Sequence, residues 1–270
     1  MEEDMVKGLI LFDYDGTLVD ERDAIYVPTK MTKDSIKKAQ EKGYFCALAT
    51  GRALSYVPEG VNDLNLDGFV TCNGACVTVE GKDIFCDVFE EEELRNLIEY
   101  MDEKGLNYML ECSDHCYVKD LNESEYRHFI QNFNIPDAKF VTYTDFEQLK
   151  NKVSKITLIC SSAQEVKDRG NELSSKYSCS YHRNCFTFDI AKVGIHKGFG
   201  TDKIVEHYHI PKEETYAFGD GDNDIELLAS VTHAVAMEKH APQLDAVATM
   251  ITGTVKEEGI YQALKKLEVI

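Results

Sequence analysis

Gly8-Leu9-Ile10-Leu11-Phe12-Asp13-Tyr14-Asp15-Gly16-Thr17 is the stretch that decides the fold. Its first half is apolar at every position, and its second half opens on two aspartates one residue apart. Apolar residues at every position, rather than at every second one, suit a strand buried on both faces, as in a parallel sheet. Lys7 to Phe12 is therefore expected to be a buried strand that delivers Asp13 and Asp15 at its carboxyl end.

The same pattern recurs on both sides of a different middle. Thr32 to Lys42 reads as a helix with Thr32 as N-cap and Gly43 as stop. Tyr44 to Ala49 is a second buried strand running into Thr50-Gly51-Arg52, and Gly68 to Thr71 a third that ends at Cys72-Asn73-Gly74. Late in the chain, Lys197 to His209 reads as a helix. Thr215 to Phe218 reads as a strand followed by Gly219-Asp220-Gly221-Asp222-Asn223-Asp224, and Val255 to Leu267 as a final helix. Strands alternating with helices in this way build an α/β, doubly wound, Rossmann-like parallel sheet.

Between these halves the order changes. Val77 to Val88 reads as a hairpin turning near Glu80-Gly81-Lys82. Helices at Glu91 to Lys104, Glu123 to Asn132 and Ala163 to Tyr177 then mix with strands at Tyr108 to Cys112, Cys116 to Val118, Lys155 to Cys160 and Cys185 to Ile190. We expect residues 1–80 and 189–270 to form the two parts of one core domain, with an α+β domain inserted at residues 81–188.

Bulk properties narrow the function. The 270 residues are 43% hydrophobic and 29% charged, a globular balance. A net charge of −19 argues against nucleic acid and against anionic membranes, which both need clustered Lys and Arg. No apolar run approaches the roughly 20 residues that cross a bilayer. The acidic start, Met1-Glu2-Glu3-Asp4, lacks the layout of a secretion signal, so a cytoplasmic location is expected. Nine scattered cysteines without a CxxC pair then read as reduced, mostly buried thiols rather than a zinc site.

Ligands of such sheets bind beyond the carboxyl ends of the strands. Asp13, Asp15, Thr50, Asn73, Asp220, Asn223 and Asp224 all fall at expected strand ends, and Lys197 opens the helix after the insert. Carboxylates gathered at the end of a buried strand repel one another and lose hydration, so they imply a cation. Oxygen-only ligands point to Mg2+. The segment from Gly219 resembles a calcium loop only superficially, because Ile225 stands where an EF-hand has Gly and Val231 where it has Glu. Gly194 to Thr201 lacks the Gly-Lys-Ser/Thr of a nucleotide P-loop.

Asp13-Tyr14-Asp15-Gly16-Thr17 resembles the first motif of the haloacid dehalogenase superfamily. Thr50-Gly51-Arg52 resembles its second motif, Lys197 its third, and Gly219 to Asp224 its fourth. An insert between the second and third motifs resembles the cap of the Cof-type, class IIB phosphatases. The resemblance implies a Mg2+-dependent phosphatase acting on small phosphate monoesters such as sugar phosphates. It implies Asp13 as nucleophile forming an aspartyl-phosphate and Asp15 as general acid and base. Asp13, the Asp15 carbonyl and Asp220 would hold the metal. Thr50, Gly51, Lys197 and Asn223 would bind the phosphoryl group, supported by Arg52, Asn73 and Asp224. A hexose phosphomutase shares both aspartates and stays open as the alternative, with a phospho-aspartate sensor behind it. His182-Arg183 is a polar segment of the insert that is a further candidate for touching substrate. One departure from the pattern is Asp189-Ile190, standing where relatives commonly carry Glu before the third-motif lysine.

Overall fold

The computed structural model describes residues 6–132, 135, 139–182 and 185–270. In chain order the first elements are β1 (Gly8–Phe12), α1 (Lys30–Glu41), β2 (Tyr44–Ala49), β3 (Gly68–Thr71), β4 (Cys76–Val79) and β5 (Lys82–Cys86). There follow α2 (Glu91–Glu103), β6 (Asn107–Glu111), β7 (Cys116–Val118), α3 (Ser124–Asn132), β8 (Phe140–Thr142), β9 (Lys155–Ile159), α4 (Ala163–Leu173), β10 (Tyr177–Tyr181) and β11 (Thr187–Lys192). The chain closes with α5 (Lys197–Tyr208), β12 (Thr215–Gly219), α6 (Ile225–Ala229), β13 (His233–Ala236), β14 (Met250–Ile251) and α7 (Gly259–Lys266). It divides into two compact units. The first comprises residues 1–51, 58–85 and 196–270, the second residues 52–57 and 86–195. Among the described residues no helix is long and apolar enough to cross a membrane.

The first unit holds an eight-stranded sheet in the order β14-β13-β12-β1-β2-β3-β4-β5. Strands from β14 through β3 are parallel, and β1 lies centrally, with Leu11 opposite Ala217 on one side and Ala47 on the other. Every residue of β1, β2 and β12 is buried, which is why these strands read as unbroken apolar runs. Leu9 and Leu11 join a core with Ile204 of α5 and Leu227 and Leu228 of α6. Successive strand residues face opposite sides, so Ile10 and Phe12 point to the other face. There Phe12 stacks on Phe218, ring centroids 5.2 Å apart. α1 packs against β2 and α7.

Local differences from the sequence reading have physical reasons. The hairpin expected to begin the insert instead extends the first sheet. β4 pairs antiparallel with β3, Gly68 opposite Val79, which occupies an otherwise open edge. Its turn residues Glu80 and Gly81 both take positive φ, suiting a two-residue hairpin connection. Thr29, not Thr32, caps α1, accepting from the Thr32 amide at 3.1 Å. α7 starts at Gly259 because Glu258 before it is left-handed, φ 61°. Cys76 and Cys86 are disulfide-bonded, against the expectation of reduced thiols throughout; Cys46, Cys72, Cys112, Cys116, Cys160, Cys179 and Cys185 are not in a disulfide.

The second unit is a six-stranded sheet, β10-β11-β9-β6-β7-β8. β7 and β8 run parallel, whereas β10 with β11, β11 with β9, β9 with β6 and β6 with β7 pair antiparallel. β8 and β10 lie outside the expected strands; α4 ends at Leu173 rather than Tyr177, releasing Tyr177-Ser-Cys-Ser-Tyr181 to pair with β11. Alternation along the strands splits the two faces. Tyr108, Leu110, Ile156, Leu158, Phe188 and Ile190 join an apolar core with Leu94, Leu97 and Met101 of α2. The residues between them, Glu111, Lys155, Thr157 and Asp189, are polar and yet buried.

Candidate active site

At the carboxyl end of β1 the backbone stays tied to the sheet, as the Asp13 amide donates to the Phe218 carbonyl at 2.9 Å. Asp13 is buried here. Lys197, the first residue of α5, reaches it with Nζ 2.6 Å from Asp13 Oδ1, and lies 2.6 Å from Asp224 Oδ1 as well. Both Lys197 and Asp224 are fully buried. Asp224 turns its second oxygen, Oδ2, to the amides of Asp220 and Gly221, each at 2.9 Å. One carboxylate thus fixes the loop after β12 and orients the lysine.

Asp13, Asp220 and Asp224 each offer an oxygen, and these lie within 4.8 Å of one another. Three carboxylates face one ammonium in a buried space. Burial and then Asp224 raise the Asp13 carboxyl well above the usual range, against the pull of Lys197, and Asp220 adds to the rise. Burial opposes the charge on Lys197, but Asp13 and Asp224 outweigh it and hold the ammonium above its ordinary range. The surplus negative charge and the oxygen-only donor set suit a hard divalent cation.

Gly16 makes room for this cluster. Its φ is +100°, and a Cβ there would stand 2.2 to 2.4 Å from the Asp220 carboxylate atoms. Neither the conformation nor the space admits a side chain. Thr17, not anticipated from sequence, donates from Oγ1 to Asp220 Oδ1 at 3.4 Å. Also missed is Arg22, 3.8 Å from Asp220 Oδ2 and held by Asp20 at 2.7 Å. The Asp20-Glu21-Arg22-Asp23 cluster just past the first motif was its signal.

On β2 and β3 the sequence-derived residues also converge. The Asn73 amide donates to the Thr50 carbonyl at 3.2 Å, and Asn223 Nδ2 donates to Asn73 Oδ1 at 3.1 Å. A Cβ on Gly51 would meet Asn73 Oδ1 at 2.9 Å. Cys72 and Asn73 both take left-handed conformations, φ 52° and 54°, followed by Gly74 at 98°. Two non-glycine residues in a row at positive φ are uncommon, and Asn73, one of the residue types that adopts it most readily, presents its side chain to Asn223.

Asp15 is exposed, and its side chain is not among the three clustered carboxylates. Arg52 is buried and belongs to the second unit. Within the insert, Asp189 is buried and paired with Lys155 of β9 at 2.8 Å. Arg183 lies outside the described residues.

A family model described as haloacid dehalogenase-like hydrolase matches residues 10–264. The chain is 26% identical over 263 residues to "Putative phosphatase YkrA" of Bacillus subtilis (strain 168), covering 97% of this chain and 98% of the relative. It is 26% identical over 273 residues to 5-amino-6-(5-phospho-D-ribitylamino)uracil phosphatase YitU of the same organism, covering 96% of each. Among solved structures, that of the HAD subclass IIB sugar phosphatase BT4131 superposes with a TM-score of 0.83 at 26% identity. The match covers 98% of this chain and all of the other.

Proposed function

The chain belongs to the haloacid dehalogenase-like hydrolase family and is a phosphatase of its Cof-type, subclass IIB group, and we propose that it hydrolyses a primary phosphate ester of a small polyhydroxylated compound through an aspartyl-phosphate on Asp13. The observation that carries the reading is Lys197 bridging Asp13 and Asp224 at 2.6 Å each, beside Asp220. It leaves Asp13 oriented and buried beside an ammonium that favours the ionised form a carboxylate nucleophile needs.

Asp13 and Asp220 would hold Mg2+ together with the Asp15 backbone carbonyl, with Asp224 alongside. When bound, the ion neutralises phosphoryl charge and lines up the ester with the nucleophile. The remaining work falls to the chain's own groups. Lys197, the Thr50 hydroxyl, the Gly51 amide and Asn223 bind the equatorial phosphoryl oxygens, where charge develops in the transition state. Asn73 positions Asn223 and the Thr50 backbone. Asp15, exposed at the end of the first motif, donates a proton to the leaving alkoxide. It later takes one from the water that opens the acyl phosphate. Arg52 supports this end of the second motif.

The substrate class is supported by the names of two relatives, a sugar phosphatase in one case and a 5-phospho-ribityl compound's phosphatase in the other. Both names describe a phosphate ester on a hydroxyl-rich carbon framework. The test is phosphate release from a panel of sugar, polyol and nucleotide monophosphates, with Mg2+ or with chelator, for wild type and Asp13→Asn. Turnover of polyol or sugar esters that needs both Mg2+ and Asp13 supports the reading. Isomerised sugar phosphate without free phosphate would replace it with the mutase. A phospho-enzyme stable for hours would replace it with the sensor.

A further inference from the structure

Outside the phosphoryl site, the second unit contains another organised set of reactive groups. Asp189 of β11 is buried and held from two sides. Lys155 Nζ lies 2.8 Å from its Oδ2, and Thr157 Oγ1 donates to its Oδ1 at 2.7 Å. The same Oδ1 lies 3.2 Å from His182 Nε2. His182 Nδ1 is 2.7 Å from Thr187 Oγ1, and that hydroxyl is 3.1 Å from Cys185 Sγ. The His182 amide donates to the Thr187 carbonyl at 3.1 Å. A line thus runs from Asp189 through His182 and Thr187 to a thiol.

Charge follows the same line. Burial opposes a proton on His182, but Asp189 outweighs it and pushes the imidazole up to about 9. The ring is then an imidazolium at neutral pH, and both nitrogens donate. Burial raises the Cys185 thiol, yet hydrogen bonds from His182 and Thr187 outweigh it and leave the thiol below its ordinary range. Among the described residues, Lys155 on β9 and Glu111 on β6 also carry charge on this face, 3.1 Å apart, with Tyr56 donating to Glu111 at 2.7 Å.

Cys179 supplies an internal comparison. Among the cysteines not in a disulfide only Cys179 and Cys185 are partly exposed; Cys46, Cys72, Cys112, Cys116 and Cys160 are buried. Burial pushes the Cys179 thiol up to about 11. Equal access with opposite electrostatics separates the two, because the thiolate is the nucleophile.

We propose that Cys185 is a thiol–disulfide exchange site, a nucleophilic cysteine activated by His182 and Thr187 that takes small-molecule disulfides. Its Sγ attacks one sulfur of a disulfide of the glutathione-disulfide class. The disulfide's S–S bond breaks as a new Cys185 Sγ–S bond forms, and the displaced thiolate leaves and takes a proton from solvent. No oxidant beyond that disulfide is needed.

The test labels the intact full chain at pH 7 with limiting iodoacetamide, and separately with glutathione disulfide, and locates the adducts by peptide mass spectrometry. We expect Cys185 to react on the order of tenfold faster than Cys179. In His182→Asn the Cys185 rate should fall at least about fivefold, with its pH midpoint moved upward and the Cys179 rate unchanged. Thr187→Val, which keeps the strand's shape, should give a smaller fall in the same direction. Labelling of Cys179 or a buried cysteine as fast as Cys185 would overturn the proposal. So would a Cys185 rate that neither variant moves in protein whose circular dichroism matches wild type, since that marks exposure without activation.

Discussion

Lys197 donates to Asp13 across 2.6 Å although 184 residues separate them in sequence. The same ammonium serves Asp224, so a lysine from the start of α5 joins the end of β1 to the loop after β12. Such a buried junction is sensitive to charge balance, because an unpaired ion in low dielectric is strongly destabilising.

Asp13→Asn should remove activity and spare the fold. The amide keeps the shape and removes one of three mutually repelling carboxylates. Turnover is expected to fall by about three orders of magnitude or more. In chelator, the midpoint of thermal unfolding should equal or exceed that of wild type. A clear fall in that midpoint would contradict the surplus negative charge described here.

Lys197→Met should damage both properties. It leaves Asp13 and Asp224 buried without their cation, and losing one member of a buried ion pair costs roughly 3 to 5 kcal/mol. Urea unfolding in chelator should show this loss, and added Mg2+ should recover part of it. An unfolding midpoint unchanged from wild type in chelator would be the contrary result.

Binding of a divalent cation should be visible as stability. At a free Mg2+ concentration one hundred times the dissociation constant, about 2.7 kcal/mol is gained. That amounts to a rise of several degrees in the unfolding midpoint. Asp220→Asn should abolish most of the rise. Gly16→Ala should also suppress it, because the new methyl meets the Asp220 carboxylate and φ of +100° strains any side chain. Full retention of the Mg2+ response in both variants would place the cation elsewhere.

His182 should make stability depend on pH. Its folded value of about 9 lies above the ordinary 6.5. The stabilisation is therefore complete below about pH 6.5 and is lost as pH rises through 9, to a total on the order of 3 kcal/mol. Urea unfolding across this range, in a Cys185→Ser background so that the thiol does not titrate, should show the decline. His182→Asn should flatten it. A decline that persists unchanged in His182→Asn would assign it to another group.

Local chemistry made much of this protein legible before folding. The runs at Gly8 to Phe12 and Tyr44 to Ala49 are apolar at every position because both faces of their strands are covered, and with the alternation of strands and helices this pointed to a parallel α/β sheet. Strand ends rich in Asp, Thr and Asn identified most groups of the cluster, since such residues gather where strands stop and ligands bind. What sequence could not carry was long-range pairing. Nothing near Val77 says that its hairpin will extend the first sheet, because that depends on the free edge of β3. Nothing near Arg22 says that it will stand 3.8 Å from Asp220, or near Asp189 that it will pair with Lys155 and His182. Hydrophobic periodicity is a property of neighbours along the chain. The identity of the partner across a sheet or a buried ion pair is decided only when tertiary packing excludes water and leaves each charge one place to be satisfied.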